Sequence, residues 1–254
     1  VRRGIDELVR RLRAIEGIRE LAMTTNGARL AEYAERLKSA GLDRLNVSLD
    51  TLDPEKYRKI TRIGSLSDTL AGLDAARSAG FTRIKLNAVL MGGVNDDEIP
   101  ALAELARDGA FDVRFIELMP IGFGTTMKRV STDDILTVLR ERWPDLAETD
   151  EKRGNGPAHY YKSGLLKGRI GFIDAVSHKF CSECNRVRLT STGMLKPCLC
   201  YSDTTDLRAL IRFECTDAEL KSALESAVYL KPRAHCFDDG AQITEQHIMS
   251  QIGG

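Results

Sequence analysis

Cys181, Cys184 and Cys198 stand in the spacing C-x₂-C-x₁₃-C. A tight turn lets the first two thiolates meet one metal centre, and a hairpin can return the third. Thiolates serve both zinc and iron–sulfur centres, and the spacing leaves both open. Tetrahedral zinc wants a fourth ligand, for which Cys200 and His178 are the near candidates. On an iron–sulfur cluster, three protein thiolates leave one iron free for a substrate atom. Arg186 and Arg188 follow at i and i+2 in a strand-like RVRL, so they share a face. Two guanidiniums on one face beside a metal suit a phosphate. Lys85 is a further cation, set in an otherwise apolar strand where an ammonium is costly unless paired or solvated. No cysteine precedes Cys181.

Composition narrows the function classes. The chain has 254 residues, with 37 Lys+Arg against 37 Asp+Glu, so its formal net charge is zero. That argues against a general nucleic-acid or anionic-membrane surface while allowing a local basic pocket. No apolar run approaches the ~20 residues of a membrane span, and the charged, amphipathic start VRRGIDELVRRLRAIEG is unlike a signal peptide. Four of six cysteines crowd into residues 181–200, a pattern of metal binding in a reducing compartment rather than a disulfide scaffold.

The elements that must position these groups alternate in the first half. IRELAMTT, LNVSLD, IKLNAVL and VRFIELMP read as strands; residues near 29–39, 54–60, 67–79 and 96–108 read as helices. Nearly continuous apolar strands predict parallel β/α units covered on both faces. Ligand-facing groups then belong at the strand ends, here Thr24–Gly27, Ser48–Asp50, Lys85–Asn87 and Glu117–Pro120. Four strands are too few to close a barrel, which takes about eight. After Pro120 the sequence predicts a Gly-rich loop, a helix that starts within Ser131–Asp134 and runs to Arg142, two short hairpins bracketing Cys181 and Cys184, and a capped helix in TDAELKSALESAVYL. A domain boundary is placed at residue 128, giving domains 1–128 and 129–254.

The run FCSECNRVRLTSTG with Cys198, together with TTNG, DRLNVSLD, IKLNAVLMGGVNDDEI, VRFIELMPIG and the final IGG, resembles the GTP 3′,8-cyclases of molybdenum cofactor biosynthesis, a radical S-adenosylmethionine family. The resemblance covers essentially the whole chain. It implies an α/β fold: a partial, incomplete TIM-like β/α barrel, of which this chain carries strands 3–6, plus a C-terminal α+β extension with an iron–sulfur site. It implies cyclisation of GTP to (8S)-3′,8-cyclo-7,8-dihydroguanosine 5′-triphosphate by a radical drawn from S-adenosylmethionine. Cys181, Cys184 and Cys198 would hold a 4Fe-4S cluster whose open iron takes the guanine. Thr24, Lys85, Arg114, Arg186, Val187 and Arg188 would contact GTP. Ser48, Met119 and Asn26 would face S-adenosylmethionine, Met119 through its backbone. The tail Gly253–Gly254 is the candidate for a catalytic contribution, since residues without side chains fit a crowded pocket.

The family also carries C-x₃-C-x₂-C and GGEP motifs on its first two strands, holding a second 4Fe-4S cluster that cleaves S-adenosylmethionine. Neither motif occurs here. The expectation is therefore a fragment that cannot cleave S-adenosylmethionine by itself. Expected partners are GTP, a downstream cyclic pyranopterin monophosphate synthase, an electron donor and a second copy in a homodimer, in the cytoplasm, without nucleic acid or membrane. The alternative is a non-catalytic GTP- or zinc-binding module.

Overall fold

Alternation of apolar and amphipathic segments becomes a β/α sheet in the computed structural model, which describes residues 3–151, 153–202, 204–245 and 247. The elements are α1 (Ile5–Arg13), β1 (Ala22–Thr25), α2 (Leu30–Ser39), β2 (Arg44–Ser48), α3 (Pro54–Thr61), α4 (Leu66–Ser78), β3 (Ile84–Val89), α5 (Ile99–Glu104), β4 (Phe111–Ile116) and α6 (Thr132–Arg142). Then come β5 (Ala147–Thr149), β6 (His159–Ser163), β7 (Leu166–Ile173), β8 (Arg188–Leu189), β9 (Met194–Lys196), β10 (Thr205–Asp206), α7 (Leu207–Arg212) and α8 (Asp217–Tyr229). Gly253 and Gly254 lie outside the described residues.

Strands β1 to β7 form one mixed sheet in the order β1-β2-β3-β4-β7-β6-β5. β1 to β4 and β7 pair in parallel, while β6 and β5 continue antiparallel. β8, β9 and β10 make a separate antiparallel sheet.

The first compact unit takes the chain to Glu117 and resumes over Lys128–Ile173; the second takes Leu118–Met127 and the chain from Asp174. The chain thus changes unit three times, after Glu117, between Met127 and Lys128, and after Ile173, rather than once. The reason is a pairing: the YYKSGLLKGRIGFI hairpin adds β7 directly to β4, with Val113 opposite Ile170 and Phe115 opposite Phe172. Periodicity shows a hairpin but not which sheet it joins.

The sheet differs from the prediction in a second way. Only one face is apolar throughout. Leu45, Val47, Ile84, Leu86, Ala88, Val113 and Phe115 are buried in the main core. The alternate positions carry Thr24, Asn46, Ser48, Lys85, Asn87, Asp112 and Arg114. Burial of one face at about 25 cal/mol per Å² drives the helices onto it, leaving the other free for chemistry.

Local signals position the helices. Asp53 Oδ1 accepts the N–H groups of Glu55 and Lys56 at 2.8 Å, with Pro54 opening α3. Ser131 Oγ accepts Asp134 N–H at 3.1 Å at the start of α6. Thr216 and Glu219 form a complete capping box on α8. Gly72 lets α4 approach the TTNG turn: a Cβ there would lie 2.3 Å from Gly27 O. The 96–108 helix is shorter than its pattern: a 3₁₀ turn precedes α5, which ends at Glu104.

Candidate active site

Two cross-strand rows build the polar face of the first unit. Thr24, Asn46, Lys85 and Asp112 are register partners along β1, β2, β3 and β4. Two residues further on, Ser48, Asn87, Arg114 and Gly171 align across β2, β3, β4 and β7. Positions i and i+2 share a face, so the two rows stand on one surface.

A hydrogen-bonded chain crosses it. Asn46 Nδ2 donates to Thr24 Oγ1 at 3.3 Å. Asn46 Oδ1 accepts from Arg44 Nη1 at 3.1 Å and from Arg114 Nη2 at 2.9 Å. Arg114 Nε donates to Asn87 Oδ1 at 2.8 Å, and its charge works against the rise that burial gives the Tyr160 pKa. Arg44 Nη2 pairs with Glu20 Oε2 at 2.9 Å.

Lys85 is only 5% exposed; its Nζ donates to Arg153 O and lies 5.4 Å from the centre of the Tyr160 ring. Burial, then the Arg114 and Arg44 charges, lower its pKa to about 8. Burial and Arg44 likewise lower Arg114, against the pull of Tyr160 and Asp112. Cations packed closely enough to destabilise one another form a ready receptor for an anion such as a phosphate chain. Lys85 and Arg153 also line a cavity of about 210 Å³ with Arg83, Asp112 and Phe111.

Lys85 sits at the start of β3 rather than at its C-terminal end, which is Val89. The cationic row therefore lies lower in the sheet than the strand-end rule placed it. Asn26 does what a turn residue does: its Oδ1 accepts Ala28 N–H at 3.3 Å and its carbonyl accepts the Thr69 hydroxyl at 2.9 Å. Ser48 closes β2 beside Asn87.

The second unit carries the cysteines. Cys181–Glu183 is a 3₁₀ turn closed by Cys184 N–H donating to Cys181 O at 3.1 Å. Lys231 Nζ donates to Arg186 O at 2.5 Å, Pro197 O at 2.9 Å and Cys184 Sγ at 3.4 Å. One ammonium thus ties the C-x₂-C turn to the segment bearing Cys198. His235 N–H donates to Cys181 Sγ at 3.4 Å. Burial would raise the Cys184 thiol, but the Arg186 N–H and the Lys231 charge outweigh it and lower the pKa. Arg188 is lowered by burial, against the Cys184 and Cys198 thiols that face it. Arg186 lies 5.6 Å from the Phe180 ring centre. Arg186 and Arg188 are partly buried while Val187 and Leu189 are exposed, so the arginines share the inner face. The strand itself covers only Arg188–Leu189. Met119 packs beside Ile121 and Val176 in this unit, and its carbonyl accepts Ile121 N–H at 2.8 Å.

Among the described residues, no three of His, Cys, Asp and Glu converge to hold a single metal ion. Cys200 is buried against Cys236, and burial with the Cys236 hydrogen bond pushes its pKa up to about 12. A thiol held protonated is a poor zinc ligand. His178 is exposed beside Asp174. The donor chemistry of the trio fits an iron–sulfur cluster better. A cluster offers separate irons to its thiolates, so they need not converge on one point. The N–H donors on Cys181 and Cys184 and the cations Lys231 and Arg188 favour thiolate charge.

The Radical SAM superfamily model matches residues 1–106 and the Molybdenum Cofactor Synthesis C model matches residues 111–237. The GTP 3′,8-cyclase of Heliobacterium modesticaldum is 43% identical over 257 residues, an alignment spanning 100% of this chain and 79% of that protein. The chain belongs to the GTP 3′,8-cyclase family. Other family members align as fully: the enzyme of Marinobacter nauticus at 45% identity over 78% of its length, and GTP 3′,8-cyclase 1 of Pseudomonas aeruginosa at 46% over 78%. No helix among the described residues of this family member is long and apolar enough to cross a membrane.

Sequence reasoning missed Arg44, Asn46, Tyr160 and Lys231. Asn46 carried a signal, since it is a polar residue inside an apolar strand and in step with Ser48. Lys231 carried none: it follows a helix, far from the cysteines in sequence, and only folding brings it to them.

Proposed function

We propose that this chain acts on GTP in the radical S-adenosylmethionine-dependent formation of (8S)-3′,8-cyclo-7,8-dihydroguanosine 5′-triphosphate, an early step of molybdopterin synthesis. The observation that carries the reading is the Lys85–Arg114–Arg44 cluster on the polar face of the sheet, where burial and the two guanidiniums lower the Lys85 pKa to about 8. Lys85 binds the triphosphate, Thr24 adds a hydroxyl oriented by Asn46, and Arg114 holds that row in place. Within the second unit, Arg186, Val187 and Arg188 are the candidates for nucleotide contact. Ser48, Asn26 and the Met119 backbone face S-adenosylmethionine. Cys181, Cys184 and Cys198 hold a 4Fe-4S cluster, which supplies an open iron for the purine. In this reading β1–β4 are strands 3–6 of an incomplete TIM-like barrel. The protein works in the cytoplasm as a homodimer, receives electrons from a donor and delivers product to cyclic pyranopterin monophosphate synthase.

The test is GTP binding to anaerobically reconstituted protein, followed by calorimetry and by the cluster's visible and magnetic spectra. Brown protein with stoichiometric iron and sulfide, a spectrum that GTP alters and ATP does not, and weakened binding in Lys85→Met are expected. Colourless protein with one zinc and no GTP-dependent change would replace the reading with that of a binding module.

A further inference from the structure

Three cysteines remain outside that site, Cys200, Cys215 and Cys236, and two of them meet: Cys200 and Cys236, 36 residues apart in sequence. Their sulfur atoms stand 2.8 Å apart with no atom between them, and the Cys236 N–H donates to Cys200 Sγ at 3.3 Å. Both are buried in one apolar cluster with Ile121, Val176 and Phe237. The two segments are already held in register. Tyr201 donates its hydroxyl to Ala234 O at 3.3 Å, and Glu245 N–H reaches Cys200 O at 3.3 Å. Lys196, buried two residues before Cys198, ion-pairs with buried Glu245. Closing a bond between the sulfurs shortens their separation from 2.8 Å to about 2.05 Å.

We propose that Cys200 and Cys236 are a dithiol modification site that closes to a disulfide, separate from the trio at Cys181, Cys184 and Cys198. The oxidant is a low-molecular-weight disulfide of the glutathione class. Cys236, the more accessible of the two, gives up its proton and attacks one sulfur of the oxidant, releasing one thiol and forming a mixed disulfide. Cys200 then gives up its proton and attacks the Cys236 sulfur, releasing the second thiol. The protein dithiol loses two electrons and two protons; the oxidant gains both and becomes two thiols. The product is a cross-link from the segment after Cys198 to the segment whose His235 N–H meets Cys181. It braces the loops around the trio without using any of the trio's sulfurs.

The experiment equilibrates the full chain, carrying Cys181→Ser, Cys184→Ser and Cys198→Ser together, in anaerobic buffers of graded oxidised and reduced glutathione. Acid quenching, alkylation and peptide mass spectrometry follow. This background removes the trio, so the result does not depend on a cluster or on GTP chemistry, and it separates Cys200 from Cys198 within one peptide. The expected result is a cross-linked peptide pair, two hydrogens lighter than the reduced pair, rising in one two-electron step and lost with dithiothreitol. Adding Cys236→Ser abolishes it. Independent alkylation of Cys200 and Cys236 across the whole range overturns the proposal, as does a cross-link to Cys215 in their place. If the quadruple variant does not fold, the triple variant decides by itself, because its mapped cross-link names both residues.

Discussion

Arg114 Nη2 donates to Asn46 Oδ1 across 2.9 Å, joining β4 to β2 over the intervening β3. The same oxygen receives Arg44, and the same amide donates to Thr24. A neutral side chain therefore sets the spacing of two buried or half-buried cations and the orientation of a hydroxyl. Asn46→Leu is expected to leave Arg114 and Arg44 without that acceptor, at about 1–3 kcal/mol of stability, and to weaken GTP binding. Urea denaturation and calorimetry measure the two effects, and wild-type affinity in a destabilised variant would count against the row as a binding surface.

Lys85 makes a pH prediction. Its folded pKa of about 8 lies below its ordinary value of 10.5. Between those values the unfolded chain binds a proton that the folded chain has released, so stability rises with pH across that window and is flat below it. Phosphate binding favours the ammonium. GTP affinity should be greatest below about pH 8 and fall above it, by at most about tenfold per pH unit for one proton. Calorimetry in buffers of different ionisation heat detects the proton uptake; Lys85→Met should bind weakly and lose this slope.

Gly171 faces the same surface from β7. A Cβ there would lie 2.7 Å from Tyr160 Cε1 and 3.0 Å from Arg114 Cγ, so either the ring or the arginine must shift. Gly171→Ala is expected to cost about 1–3 kcal/mol and to reduce GTP affinity along with it. Thermal unfolding with and without GTP checks both, and an unchanged GTP-induced shift would show that Arg114 has not moved.

In the second unit, Lys231→Met removes the ammonium that joins Arg186 O, Pro197 O and Cys184 Sγ. Groups that orient metal ligands are worth roughly 10–100-fold in metal affinity. Iron retained against a chelator should fall by about that range, with partial recovery in Lys231→Arg. Full iron retention in Lys231→Met would limit the residue to a structural role.

Much of this was legible in the chain. The four parallel strands, most of the helices, both hairpins and the capped α8 follow from periodicity and capping residues, which act over one or two turns. Cys181, Cys184, Arg186 and Arg188 are near one another in sequence, so their shared turn and face could be read directly. What could not be read were relationships set by strand order. Placing β7 on β4 brought Tyr160 and Gly171 to Arg114, and the start of β3 put Lys85 in register with Thr24 and Asn46. Lys231, His235 and Cys236 reach the cysteine loops from sequence positions that no local pattern connects to them.

Residue type and spacing alone thus determined the donors present: thiols in a ligand-like order, guanidiniums beside them and a lysine in an apolar strand. Tertiary structure decided which of them meet. It placed Cys200 against Cys236 rather than in the trio, and it brought Arg114 and Arg44 close enough to buried Lys85 to lower its pKa. The physical reason is that chemical identity belongs to single residues, whereas burial and charge coupling depend on distances that only the folded chain fixes.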